Sequence, residues 1–75
     1  MNITYDADAD AAYISVVDTI ADGEAASQEH SIPTPHPEGE IILDFDAEGH
    51  LLGIEVLGAS RVLSTAVLAG AETTG

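Results

Sequence analysis

The stretch Asp44 to Glu55, DFDAEGHLLGIE, sets Asp44, Asp46, Glu48, Gly49 and Glu55 almost on the D-x-[DN]-x-[DN]-G-x5-E template of a calcium-binding loop. Oxygen ligands at that spacing surround one Ca²⁺ only when two flanking helices fold the loop inward. Here Glu40 to Leu43 alternate like a strand, and no helix fits between Pro37 and Asp44. Leu51 to Val56 alternate as well. Glu48 also replaces the Asp or Asn expected at the fifth position, lengthening the ligand arm. Asp46-Ala47-Glu48-Gly49 suits a type I turn followed by a left-handed glycine, the start of a bulged hairpin. The stretch is therefore expected to be a hairpin, with Asp44 and Glu55 on paired strands away from the tip.

The remaining polar residues invite weaker chemistry. Asp6, Asp8 and Asp10 in one acidic turn, and Asp46 and Glu48 in the other, could offer carboxylates to Ca²⁺ or Mg²⁺, although solvated turn aspartates are the favoured reading of the pattern. His30, His36 and His50 lack the fixed i, i+4 pairing of a metal site. There is no nucleophile elbow and no phosphate-cradling glycine loop, and turn carboxylates gain little desolvation for acid–base work. The expectation is a non-enzyme with no catalytic, cofactor-binding or metal-ligating residue assigned. Weak divalent-cation binding by the two acidic turns is the alternative.

Composition narrows the partners. Fourteen Asp and Glu face a single basic residue, Arg61, for a net charge of −13. Such a field repels nucleic-acid phosphates and anionic lipid and favours a basic protein partner. It also keeps a small chain soluble. The 75 residues contain no cysteine, so no disulfide or thiolate chemistry is available. The opening MNITYD has neither the basic nor the apolar region of a signal peptide, and no apolar run approaches the ~20 residues of a membrane span. A cytoplasmic protein is expected.

These residues must be positioned by short elements. ITY (3–5) and AYISVV (12–17) read as strands around the DADAD turn, and EIILDF (40–45) and HLLGIEVL (50–57) as strands around DAEG. Residues 24–30 could form a polar edge strand, and Pro33, Pro35 and Pro37 belong to an extended loop. Ala59, Val62, Leu63, Ala66 and Val67 follow helical spacing, with Gly70 as terminator. Shifting the chain by 40 lays Asp6, Ala7, Ile14 and Val16 on Asp46, Ala47, Ile54 and Val56, as if two hairpins were built alike.

The segments ITYD…ADAAYISV and IILDFDAEGHLLGIEVLGAS resemble a small prokaryotic family, domain of unknown function 2283, whose members share "YD…ADA.YI" and "D.D..G...GIEIL.AS" patterns. The resemblance covers roughly residues 2 to 63, with Asp44, Asp46, Gly49, Gly53, Ile54, Glu55, Ala59 and Ser60 on the second pattern. SIPTPHPEG departs from it. The resemblance implies an antiparallel sheet with a C-terminal helix, frequent self-association and no established activity. It also implies an antitoxin-like partner role by analogy.

The combined expectation is an α+β domain over residues 1–70, with a frayed tail over 71–75. It is a single antiparallel sheet of four or five strands, a hairpin-built meander, with one C-terminal helix on one face. Ile14, Val16, Leu52, Ile54 and Val56 should meet Val62, Leu63 and Val67. The other face, with Ile41 or Ile42, Leu51, Leu57 and Tyr13, exposes enough apolar surface to predict a homodimer. Glu55 points away from the face shared by Ile54 and Val56, and could face solvent, meet Arg61 or sit in a subunit interface. The function expected is that of an acidic interaction or regulatory module.

Overall fold

Alternation of branched and polar residues does place the strands. The computed structural model describes residues 1–73, which form β1 (Asn2–Asp6), β2 (Ala11–Ser15), β3 (Ser27–Pro33), β4 (Glu40–Phe45), β5 (Leu51–Leu57), α1 (Ala59–Val62), α2 (Thr65–Ala69) and β6 (Glu72–Thr73). They make one six-stranded sheet in the order β3-β4-β5-β2-β1-β6. The pairings are antiparallel except for β6, which runs parallel to β1.

Three features correct the expected architecture. The polar edge strand expected over 24–30 forms as β3, shifted to Ser27–Pro33 so that Pro33 closes a strand instead of belonging to the loop, and the sheet has six strands rather than four or five because Glu72–Thr73 adds β6. Of the expected tail, Thr74 and Gly75 lie outside the described residues. The sheet is not a meander, since β2 pairs with β5 and brings the two hairpins side by side. The single C-terminal helix is instead two short ones. Leu63 is extended (φ −102°, ψ 144°), and Ser64 starts α2 as its N-cap, its Oγ accepting from Val67 N at 3.3 Å. A serine at that position offers the backbone a cap, and the i, i+3, i+4 apolar pattern carries on across the break.

Pairing register fixes the faces. Ala12 faces Val56 and Ile14 faces Ile54 across β2 and β5, while Ile41 and Leu43 oppose the same two residues from β4. That side carries the helices. Ala12, Val56 and Ala59 form the buried core, with Tyr5, Ile14, Ile54, Val62, Leu63 and Leu68 packed against it. Leu68 takes the role expected of Val67, which is 39% exposed. Among the described residues nothing forms a layer over the other side. Thr4, Tyr13, Glu55 and Ile42 form its central cross-strand row.

The 40-residue repeat is real in register. Ile3↔Ile14 in the first hairpin recurs as Leu43↔Ile54 in the second, and Thr4↔Tyr13 recurs as Asp44↔Gly53. Ile14 and Ile54, equivalent in sequence, face each other where the hairpins meet. The chain thus has a local pseudo-twofold axis between them. Asp6 and Asp46 repeat a task as well as an identity. Asp6 Oδ1 accepts from Asp8 N and Ala9 N at 3.0 and 3.3 Å, and Asp46 Oδ1 accepts from Glu48 N and His50 N at 2.9 Å each.

Candidate functional site: the open sheet face and two Tyr–Asp pairs

Two tyrosines place the polar residues. Tyr13, on central strand β2, leans diagonally over Gly53 of β5 and donates from Oη to Asp44 Oδ2 at 2.9 Å. A Cβ at residue 53 would collide with the Tyr13 ring, which explains a glycine in mid-strand. Gln28 Nε2 from β3 donates to Asp44 Oδ1 at 2.7 Å, so both oxygens of this carboxylate, only 7% exposed, are satisfied. Burial, the bond to Asp44 and the negative charges of Asp44 and Glu55 push the Tyr13 hydroxyl up to about 12. It stays protonated and donating across the ordinary pH range.

Tyr5 anchors a second carboxylate. Its Oη donates to Asp10 Oδ1 at 2.7 Å, and Asp10 reaches the first turn of α1, where it accepts from Ser60 N at 2.9 Å and Ser60 Oγ at 2.7 Å. The Asp10 carbonyl accepts from Ala59 N at 2.9 Å. Gly58, the N-cap of α1, has no side chain to cap with, so Asp10 serves that purpose from the first hairpin. Gly58 sits at φ 65°, and a Cβ there would strike the Glu38 carbonyl. The hydrogen bonds from Ser60 and Tyr5 hold the Asp10 carboxyl below its usual value. The bond to Asp10 raises the Tyr5 hydroxyl above the ordinary phenol value.

The opening stretch is a hairpin. Asp46 N donates to the His50 carbonyl and His50 N to Asp46 Oδ1, with Gly49 at φ 85° between them, and Asp44 and Glu55 lie back on the strands. Asp46, Glu48 and His50 are the metal-capable residues that come together, with one ligand atom of each within 4.8 Å of the others. His50 Nδ1 lies 3.3 Å from Asp46 Oδ2. The His50 N–H holds the Asp46 carboxyl below its usual value, assisted by the Glu48 N–H. His30 and His36 do not join them: His30 is exposed on β3, and His36 Nδ1 accepts from Glu38 N at 3.1 Å. Asp8 is exposed. Arg61 Nε sits 3.8 Å from Glu38 Oε1, so of the alternatives for Glu55 the pairing with Arg61 does not form.

The open face carries a cavity of about 190 Å³ lined by Thr4, Asp6, Ala11, Ala12, Tyr13 and Glu55. Its origin is the tilt of Tyr13. The ring lies over Gly53 and leaves the space beside it, above Ala11, unfilled. Thr4 and the Gln28–Asp44 contact carried no local signal in the sequence. Gly53 and the two tyrosines did, as a small residue inside a strand and as aromatics at its flanks.

Residues 2–60 match the family described as protein of unknown function (DUF2283). The chain belongs to this family. No curated protein and no solved structure matches it. Among the described residues no helix is long and apolar enough to cross a membrane.

Replacing Tyr13 by Phe removes one of two donors to a buried carboxylate. The expected loss is about 1–3 kcal/mol of unfolding free energy, read from urea titration. An unchanged midpoint would show that the Tyr13–Asp44 bond contributes nothing. Acid should act through Asp10 and Asp46. Their folded values lie below the unfolded one, so their contribution is complete above about pH 5 and fades as pH falls through the folded values. The Asp10→Asn variant should show a shallower acid limb in stability than the parent. Superimposable limbs would remove Asp10 from that linkage.

Proposed function

We propose that this DUF2283 protein is an acidic interaction module of the cytoplasm that binds a basic protein partner through its open sheet face. The observation carrying this reading is an uncovered face holding Asp6 and Glu55 around a cavity, in a chain whose one basic residue is engaged elsewhere by Glu38. Complementary charge accelerates encounter and selects the partner. An antitoxin-like role, in which the basic partner is a small toxic protein, is one form of this reading. Self-association is its second element. Ile32 is 37% exposed beside its register partner Ile41, with Leu43 and Phe45 half-buried along the same strand, and pairing two copies there leaves both acidic faces outward.

The test is a titration with a fluorescent arginine-containing peptide, with solution mass followed by light scattering. Saturable binding of one peptide per chain, weakening as salt rises, on a dimeric species is the expected outcome. A peptide that fails to bind at low salt would overturn the binding reading, and a strictly monomeric mass would overturn self-association.

A second reading, weak divalent-cation binding, is favoured by the Asp46–Glu48–His50 grouping. It predicts a melting temperature raised by millimolar-range CaCl₂, MgCl₂ or ZnCl₂ beyond that in NaCl of equal ionic strength. Coincident melting curves would dispose of it.

A further inference from the structure

We infer that the cavity beside Tyr13 receives a single arginine side chain of the partner, its guanidinium held between Glu55 and Asp6. This deepens the basic-partner reading and rests on it.

The shape of the site supports a long side chain with a cationic head. The floor is Ala11, a small residue on the open face between Asp6 of β1 and Leu57 of β5. An aliphatic stem can lie over it. Around the floor stand Thr4 with a hydroxyl, Tyr13 with an aromatic ring, and the two carboxylates. Glu55 is half-buried on central strand β5, and among the described residues it has no hydrogen-bond or ion-pair partner. Asp6 commits Oδ1 to its own turn through Asp8 N and Ala9 N, which leaves Oδ2 free of hydrogen bonds among the described residues. Glu55 and Asp6 Oδ2 thus offer acceptors that a charged donor from outside the chain can meet.

Arginine fits better than lysine for two reasons. A planar fork of five N–H groups can serve Glu55 and Asp6 together, whereas an ammonium is a point charge. The Tyr13 ring also offers a surface on which a guanidinium can stack. That ring is already fixed by its bond to Asp44 and its seat on Gly53, so no rotamer freedom is lost there on binding. The charge is complementary throughout. No basic residue shares the open face, because Arg61 belongs to α1 on the other side.

The test uses the whole chain and a short acetylated peptide bearing one arginine among glycine and serine, followed by ¹H–¹⁵N NMR titration. The largest amide shifts should fall on Thr4, Asp6, Ala11, Tyr13 and Glu55. Glu55→Gln should weaken binding about tenfold, the loss of one charge-assisted contact. Glu48→Gln, which removes the same charge from the exposed hairpin turn, should leave affinity within about twofold, as exposed charges act weakly. The lysine version of the peptide should bind more weakly than the arginine version. Equal loss from both glutamate variants, with shifts spread over both acidic turns, would overturn the cavity while leaving the basic-partner reading intact. Equal affinity for lysine would overturn the guanidinium assignment. Absence of binding by either peptide at low salt would overturn the inference together with the reading it rests on. Variant spectra that superimpose on the parent outside the cavity show that the fold is kept.

Discussion

The bond from Tyr13 Oη to Asp44 sets the character of the open face. To reach Asp44 the ring must cross central strand β5, and it can do so only where that strand has no side chain, at Gly53. Asp44 is then covered, and a covered carboxylate is tolerable because Gln28 completes its hydrogen bonding from the edge strand. One contact therefore links β2, β4 and β5, and through Gln28 it draws in β3. It also pulls the ring away from Ala11, so the cavity is a consequence of that tilt and not a separate feature.

The pseudo-twofold axis shows how similar segments were given different tasks. Tyr13 and Gly53 are equivalent positions, and the ring of one lies on the vacancy of the other. Two tyrosines would collide there, and two glycines would leave the face without a fixed aromatic. Asp10 and His50 are likewise equivalent. His50 turns back to Asp46 in its own hairpin, whereas Asp10 leaves its turn at φ 50° to cap α1. Aspartate tolerates that left-handed backbone better than most residues. The helical layer is accordingly capped from the first hairpin alone while it packs on β2 and β5 together, and the symmetry of the strands does not extend to it.

The legible part of this structure was local. Strands β4 and β5 followed from two-residue alternation, and the turn between them from Asp46 and Gly49, whose chemistry is complete within five residues. Other features depended on long-range contacts. Tyr13 and Asp44 are 31 residues apart and Asp10 and Ser60 are 50 apart, so neither partnership leaves a trace in any window of the sequence. Strand β3 is polar and ends in Pro33, which an edge strand accepts because only one of its sides must pair. The division between α1 and α2 was hidden because Ser64 is compatible with helix interior and cap alike, and only the packing of Leu63 and Leu68 onto the core separates the two.

Most of the polar residues that carry the family resemblance act as fasteners in this fold: Tyr5, Asp10 and Ser60 join the first hairpin to α1, Tyr13 and Asp44 join the hairpins to each other, and Asp46 closes a turn. Such residues report how the chain folds and are silent about what it binds. Glu55 differs from them. It sits among the fasteners, next to the ring that the most buried of them holds in place, yet it fastens nothing. It is half-buried on a central strand and carries its charge beside the Tyr13 ring. In a molecule of net charge −13 its one Arg or Lys residue, Arg61, lies beyond the helices at Glu38. The open face therefore carries negative charge that no basic residue of the fold offsets.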